Sequence, residues 1–145
     1  MIVVDVNVLV AAAVADHPQH ALARSWLVGE LATEARGVII PDLAWVGLVR
    51  IVTNHRVFTE PLSIGQVAMF AETILAAPGY LRSAGDAGPR DLLALCAESA
   101  ASGNLVPDAY LASVALRLGC PVATFDRDFR RFDGLQVREL ADAPS

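Results

Sequence analysis

The sequence predicts an α/β fold built on a mostly parallel sheet. Three short apolar runs, at 2–6 ("IVVDV"), 37–41 ("GVIIP") and 120–125 ("CPVATF"), alternate with longer stretches whose apolar residues recur at helical spacing. Strands connected through helices run parallel and bury both faces, so they read as continuous apolar runs rather than as alternating ones. At 145 residues, 54% hydrophobic and 19% charged, the chain can bury a full core without metal or disulfide staples.

Taken in order, residues 2–6 read as the first strand, and "HPQHALARSWLVGELATEA" (17–35) as a helix. The strand at 37–41, bounded by glycine and proline, leads into a helix with Asp42 as N-cap, ending near Asn54. "HRVFTEP" (55–61) lacks periodicity and reads as a loop, after which Ser63 caps a helix reaching Ala76. Residues 78–89 hold a short strand between turn signals, and 90–102 are helical up to Gly103. Helix restarts near Pro107 and stops at Gly119, a C′ glycine. The strand at 120–125, a helical turn over "DRDFRRF" and a last strand within "GLQVREL" (134–140) complete one domain over 1–140, and 141–145 form a short polar tail.

Composition removes several function classes. The formal charge of −5 argues against general, charge-driven nucleic-acid binding but leaves room for a local arginine patch. All 11 basic residues are arginine, which excludes chemistry that needs a catalytic ammonium. No apolar run approaches the roughly eighteen residues of a membrane span, and the N-terminus lacks a basic, cleavable leader, so a cytoplasmic protein is expected. Cys96 and Cys120 sit in apolar sequence without metal-ligand spacing and read as buried free thiols. His17 and His20 lack further ligands and read as an exposed helix start. Trp26 and Trp45 belong to helix faces that bury core or a partner.

The acids are more informative. Asp5 ends the first strand and Asp126 follows "VATF", so both fall at the carboxyl edge where parallel sheets gather ligands. Asp108 lies in the first turn of its helix and Asp128 two residues beyond Asp126. Each acid alone also fits a local role, as a strand-end acceptor, a first-turn acid or a turn cap. Together in one pocket they would repel each other unless a divalent cation neutralised them, and an all-oxygen donor set selects magnesium or manganese over zinc.

The stretches "VVDVNVLV", "GNLVPDAYLASVALRLGC" and "VATFDRDFRRFDGL", in that order over nearly the whole chain, resemble a PIN domain, in particular the VapC ribonuclease toxins. "TNHRVF" (53–58) resembles a loop of one VapC subgroup. The resemblance implies a three-layer α/β/α fold and a Mg2+- or Mn2+-dependent endoribonuclease, the toxin of a type II toxin–antitoxin system. It also implies a homodimer held inactive by a VapB-like antitoxin, with RNA as substrate. Carried over by position, Asp5, Asp108 and Asp126 match the catalytic, metal-binding acids, with Asp128 as a helper. Asn7 and Thr124 match residues that orient those acids.

The resemblance has one departure: Gly47 aligns where the family usually has a glutamate, and Asp42, five residues before it and better read as an N-cap, is the acid that could lean in instead. For RNA, Arg50, Arg56 and Arg127 are the first candidate contacts, with Arg82 and Arg130 behind them and Phe58 as a stacking platform. Two rival readings remain. A PIN-like module weakened by Gly47 would bind RNA or protein without cutting. A haloacid-dehalogenase-like phosphatase is more remote, because Asn7 replaces its second acid and its lysine is missing.

Overall fold

The computed structural model describes residues 1–82 and 88–141. Its strands are β1 (Ile2–Val4), β2 (Val38–Ile39), β3 (Tyr80–Leu81), β4 (Val122–Thr124) and β5 (Val137–Glu139). They form one sheet in the order β3-β2-β1-β4-β5, and every pair is parallel. The central strand β1 is wholly buried and sets the register on both sides, Val3 facing Ile39 of β2 and Val122 of β4. The helices are α1 (Val6–Ala13), α2 (His20–Leu31), α3 (Asp42–Val52), α4 (Ile64–Leu75), α5 (Pro89–Ser99) and α6 (Val106–Leu118). The α1 helix packs against both α2 and α3, while α6 packs on β1 and β4 and carries α5. This is the expected three-layer α/β/α arrangement.

The sequence reading missed α1 and ran the first strand too far. The strand ends at Val4, and Asp5 (φ −74°, ψ 153°) is the N-cap of α1, its Oδ1 accepting the Val6 N–H at 2.7 Å. Because Val8, Leu9, Val10, Ala11 and Ala12 are all buried, the helix shows no polar face and its apolar run is indistinguishable from a buried strand. Asp42 is also not a cap: Pro41 holds that position and Asp42 is an exposed residue of the first turn. The α2 helix starts at His20, with residues 17–19 forming a turn before it.

Other local signals read true. Ser63 accepts the Gln66 N–H while Gln66 accepts the Ser63 N–H, a reciprocal capping box for α4. Gly119 ends α6 at φ 67°, a left-handed conformation that favours glycine. A strand does form at Tyr80–Leu81, and Arg127–Arg131 is a 3₁₀ turn. Residues 83–87, within the stretch read as turn-rich, and 142–145, most of the expected tail, lie outside the described residues. Cys120 is buried and Cys96 half-buried, both as free thiols.

Gly79 shows where the edge of the sheet is fixed most tightly. Its N–H donates to Leu31 O at 2.9 Å and its carbonyl accepts from Val38 N at 2.7 Å, tying β2 and β3 to the end of α2. A Cβ at this position would lie 2.6 Å from Glu30 O and 2.8 Å from Leu31 Cα, both backbone atoms that cannot swing aside. Gly79→Ala should therefore destabilise the protein by about 1–3 kcal/mol. Gly29→Ala, on an open helix surface, should be neutral or stabilising by up to about 1 kcal/mol. Urea unfolding of the two variants checks this, and equal midpoints would refute the close-packed edge.

Candidate active site

The site is built on the chain entering and leaving β1 and β4. Parallel pairing brings Asp5 N–H to Ala123 O at 3.0 Å, which places the ends of the two strands side by side. Thr124, fully buried at the end of β4, donates its hydroxyl hydrogen to Asp5 Oδ2 at 2.7 Å. Thr124 Oγ1 itself accepts from Asn7 Nδ2 at 3.2 Å and from Asp126 N–H at 2.9 Å. Asn7 closes the circuit by accepting the Phe125 N–H on its Oδ1 at 3.4 Å. One hydroxyl thus links Asp5, Asn7 and Asp126, residues far apart in sequence. Asp126 in turn caps the 3₁₀ turn by accepting the Asp128 N–H at 2.8 Å.

Asp108, in the first turn of α6, completes the convergence. Asp5, Asn7, Asp108 and Asp126 line one cavity of about 330 Å³, together with Val6, Val10, His17, Gln19 and Ile51. An adjoining cavity of about 400 Å³ shares Asp5 and Asp108 and continues over Val46, Gly47, Arg50, Asn104 and Leu111. Among the described residues, no three acids, imidazoles or thiols close into a ready-made cage for an ion. The acids share a cavity and a field instead.

That field is strongly negative. Burial pushes the Asp5 carboxyl, only 5% exposed, up to about 6 against hydrogen bonds from Thr124 and Val6, and the Asp126 charge adds to the rise. Asp108 is also raised to about 6, first by burial and then by the charges of Asp5, Asp126 and Asp128, with Arg131 opposing. An all-oxygen set with surplus negative charge, each member favouring a nearby cation, suits a hard divalent ion. In donor chemistry, then, the residues fit magnesium or manganese.

The structure separates the remaining candidates. Asp128 is exposed and lines neither cavity, although its charge reaches Asp108. Asp42 is exposed and lines neither cavity. Of the arginines, Arg50 lines the adjoining cavity, whereas Arg56, Arg82 and Arg127 are exposed and lie outside both. Arg130 is engaged with Glu139, its Nε 2.6 Å from Oε1. Phe58 is half-buried against the core, so its ring does not stand out as a stacking platform.

Two features escaped the sequence reading. His17 is half-buried and lines the acidic cavity, and the H-x-x-H spacing that was its only signal pointed elsewhere. The two histidines serve different contacts, His20 Nδ1 lying 2.8 Å from Ala11 O and His17 Nδ1 accepting the Gln19 N–H at 3.0 Å. The other feature is the packing of Val6 against Gly47, where an added Cβ would meet Val6 Cγ2 at 2.9 Å. Valine already fills the space a side chain at 47 would enter.

Comparison with known proteins agrees with this geometry. The PIN domain family matches residues 2–135. Ribonuclease VapC31 of Mycobacterium tuberculosis is 40% identical over 135 residues, covering 91% of this chain and 93% of the relative. VapC ribonuclease Mb2897 of Mycobacterium bovis is 39% identical over 145 residues, covering 98% and 97%. Among solved structures, VapBC2 from Rickettsia felis bound to a promoter DNA fragment superposes with a TM-score of 0.68 at 17% identity, covering 97% of this chain and 100% of that one. FitAcB from Neisseria gonorrhoeae gives 0.59 at 16% identity, covering 94% and 96%. At such identities the structures speak for the fold, and the two close relatives speak for the family. The phosphatase and binding-module readings find no support in these likenesses. This chain belongs to the PIN-domain family and, within it, to the VapC ribonucleases.

Proposed function

We propose that this protein is the toxin of a type II toxin–antitoxin pair, an endoribonuclease that acts in the cytoplasm, depends on Mg2+ or Mn2+ and is restrained by a VapB-like antitoxin. The observation that carries this reading is the gathering of Asp5, Asp108 and Asp126 on one cavity, with Asp5 and Asp108 both raised to about 6. These three would hold the ion, with Asp128 adding charge from the rim. When bound, the ion supplies Lewis acidity and a water acidic enough to give hydroxide near neutral pH.

The chain's own part is orientation and charge. Thr124 and Asn7 fix the Asp5 carboxylate and the backbone that carries Asp126, so the acids need little reorganisation when substrate arrives. Arg50, in the cavity beside the acids, offers a guanidinium fork to a phosphate of the strand. Arg56 and Arg127, exposed outside both cavities, would meet RNA farther from the cut. The protein acts as a homodimer. Among the described residues no helix is long and apolar enough to cross a membrane.

Purified, partner-free protein should cut RNA at discrete positions only when Mg2+ or Mn2+ is present. Asp5→Asn and Asp108→Asn should both fall to background. RNA bound but uncut by the wild type in either metal would overturn the nuclease reading in favour of a binding module. Thr124→Val keeps the shape but removes the shared hydroxyl. It should lower cleavage about 10- to 100-fold and stability by about 1–3 kcal/mol. Wild-type rates in that variant would remove Thr124 from the site.

The raised acids also fix the sign of a pH effect in metal-free protein. Folded Asp5, at about 6, holds its proton more tightly than the unfolded chain at 3.8, so its contribution to stability is full below pH 4 and lost as pH rises through 6. At about 1.4 kcal/mol per pKa unit, Asp5 alone withdraws about 3 kcal/mol by pH 7. Urea midpoints should fall from pH 4 to 7, fall less steeply in Asp5→Asn, where Asp108 still titrates, and recover in the wild type at pH 7 when manganese is added. A midpoint indifferent to manganese would separate these acids from metal binding.

A further inference from the structure

We propose that His17 is an RNA-contacting residue whose Nε2–H donates a hydrogen bond to a sugar–phosphate oxygen of the strand lying in the acidic cavity. This rests on the ribonuclease reading and adds a contact from outside the acid set. His17 shares the cavity with Asp5, Asn7, Asp108 and Asp126, although it enters from the turn before α2.

The ring's hydrogen bonding decides what it can do there. A backbone N–H can only donate, and Gln19 N–H points at His17 Nδ1 at 3.0 Å, so Nδ1 carries a lone pair. The proton of the neutral ring therefore sits on Nε2, which has no hydrogen-bond partner among the described residues. In this tautomer Nε2 has no lone pair for a metal, so the ring can serve RNA but not the ion. Burial, and then the neighbouring His20, lower the affinity of His17 for a second proton and keep it a neutral donor. The ring does not drift, because the turn is closed by His17 N–H to Val14 O and His20 N–H to His17 O, both at 3.0 Å, and His20 Nδ1 bonds Ala11 O. A neutral, fixed donor is useful here: it meets a phosphate oxygen without drawing the carboxylates onto itself.

The test compares wild type, His17→Ala and His17→Gln, whose amide N–H reaches the Nε2 position, after circular dichroism shows all three folded. Manganese affinity is read by electron paramagnetic resonance, and KM and kcat on a single-stranded RNA in manganese. Alanine should raise KM about three- to tenfold with kcat little changed, as loss of one neutral hydrogen bond requires. Glutamine should recover most of that loss, and manganese affinity should stay within twofold in both variants. Nitrogen-15 spectra of the wild type should show His17 protonated on Nε2. A fall in manganese affinity on His17→Ala would make the residue a metal ligand and overturn the proposal. So would an unchanged KM, or glutamine no better than alanine, which would reduce His17 to a turn residue. If no protein cleaves, the ribonuclease reading fails separately, and RNA dissociation constants in manganese replace KM: weaker binding by the alanine variant sustains the contact, equal binding refutes it.

Discussion

The rest of the site depends on one buried carboxylate. Asp5 ends β1, caps α1 and accepts the Thr124 hydroxyl, so strand, helix and neighbouring strand all meet at its two oxygens. Taking such a charge out of water costs several kcal/mol when no cation faces it, and two hydrogen bonds offset only part of that cost. The unmet remainder appears as the raised affinity for a proton. The same uncompensated charge would favour a nearby divalent ion. On the proposed reading, stability and function pull apart at this residue, since a neutral group would fold more easily and hold no ion.

Much of this was legible because acids at strand ends contradict their apolar surroundings. Asp5 inside a valine run and Asp126 just after "VATF" stood out for that reason, and parallel topology then fixed which sheet edge they share. Thr124 and Asn7 were reachable only through resemblance, because nothing in their own spacing reveals that residues 117 positions apart share a hydrogen bond. The α1 helix stayed hidden for the opposite reason: a helix buried on every side loses the polar stripe that betrays its period. Residue-level roles on the surface were the least legible. Arg130 looked as available as Arg50 until β5 brought Glu139 to its Nε, a contact set by tertiary packing alone.

The charges around the cavity also explain how an acidic protein can handle RNA. Among the described residues, Arg50 is the arginine that lines either of the two cavities, and Arg131 tempers Asp108. On the proposed metal-dependent reading, attraction to phosphate would arise mostly where the carboxylates are neutralised. Affinity for the strand would then be tied to occupancy of the acids, and the few neutral donors in the cavity would act as position-setting contacts rather than as sources of attraction.

Gly47 fits the same logic. The missing glutamate first looks like the loss of one ligand, yet a side chain at 47 has no room to enter, because Val6 Cγ2 stands 2.9 Å from where its Cβ would be. Val6 cannot retreat cheaply: its N–H holds Asp5 Oδ1, its β-branched side chain has few rotamers, and its helix is packed between α2 and α3. A larger residue at 47 would therefore push on the very backbone that orients Asp5. Valine at 6 and glycine at 47 form a matched pair, an apolar contact between α1 and α3 standing where the resemblance would put a fourth acid. With one negative charge fewer, the remaining carboxylates repel each other less, and the adjoining cavity gains the apolar wall formed by Val6, Val46 and Leu111. The Val6–Gly47 contact thus forms a packed wall of the site, and Asp5, Asp108 and Asp126 share one cavity beside it.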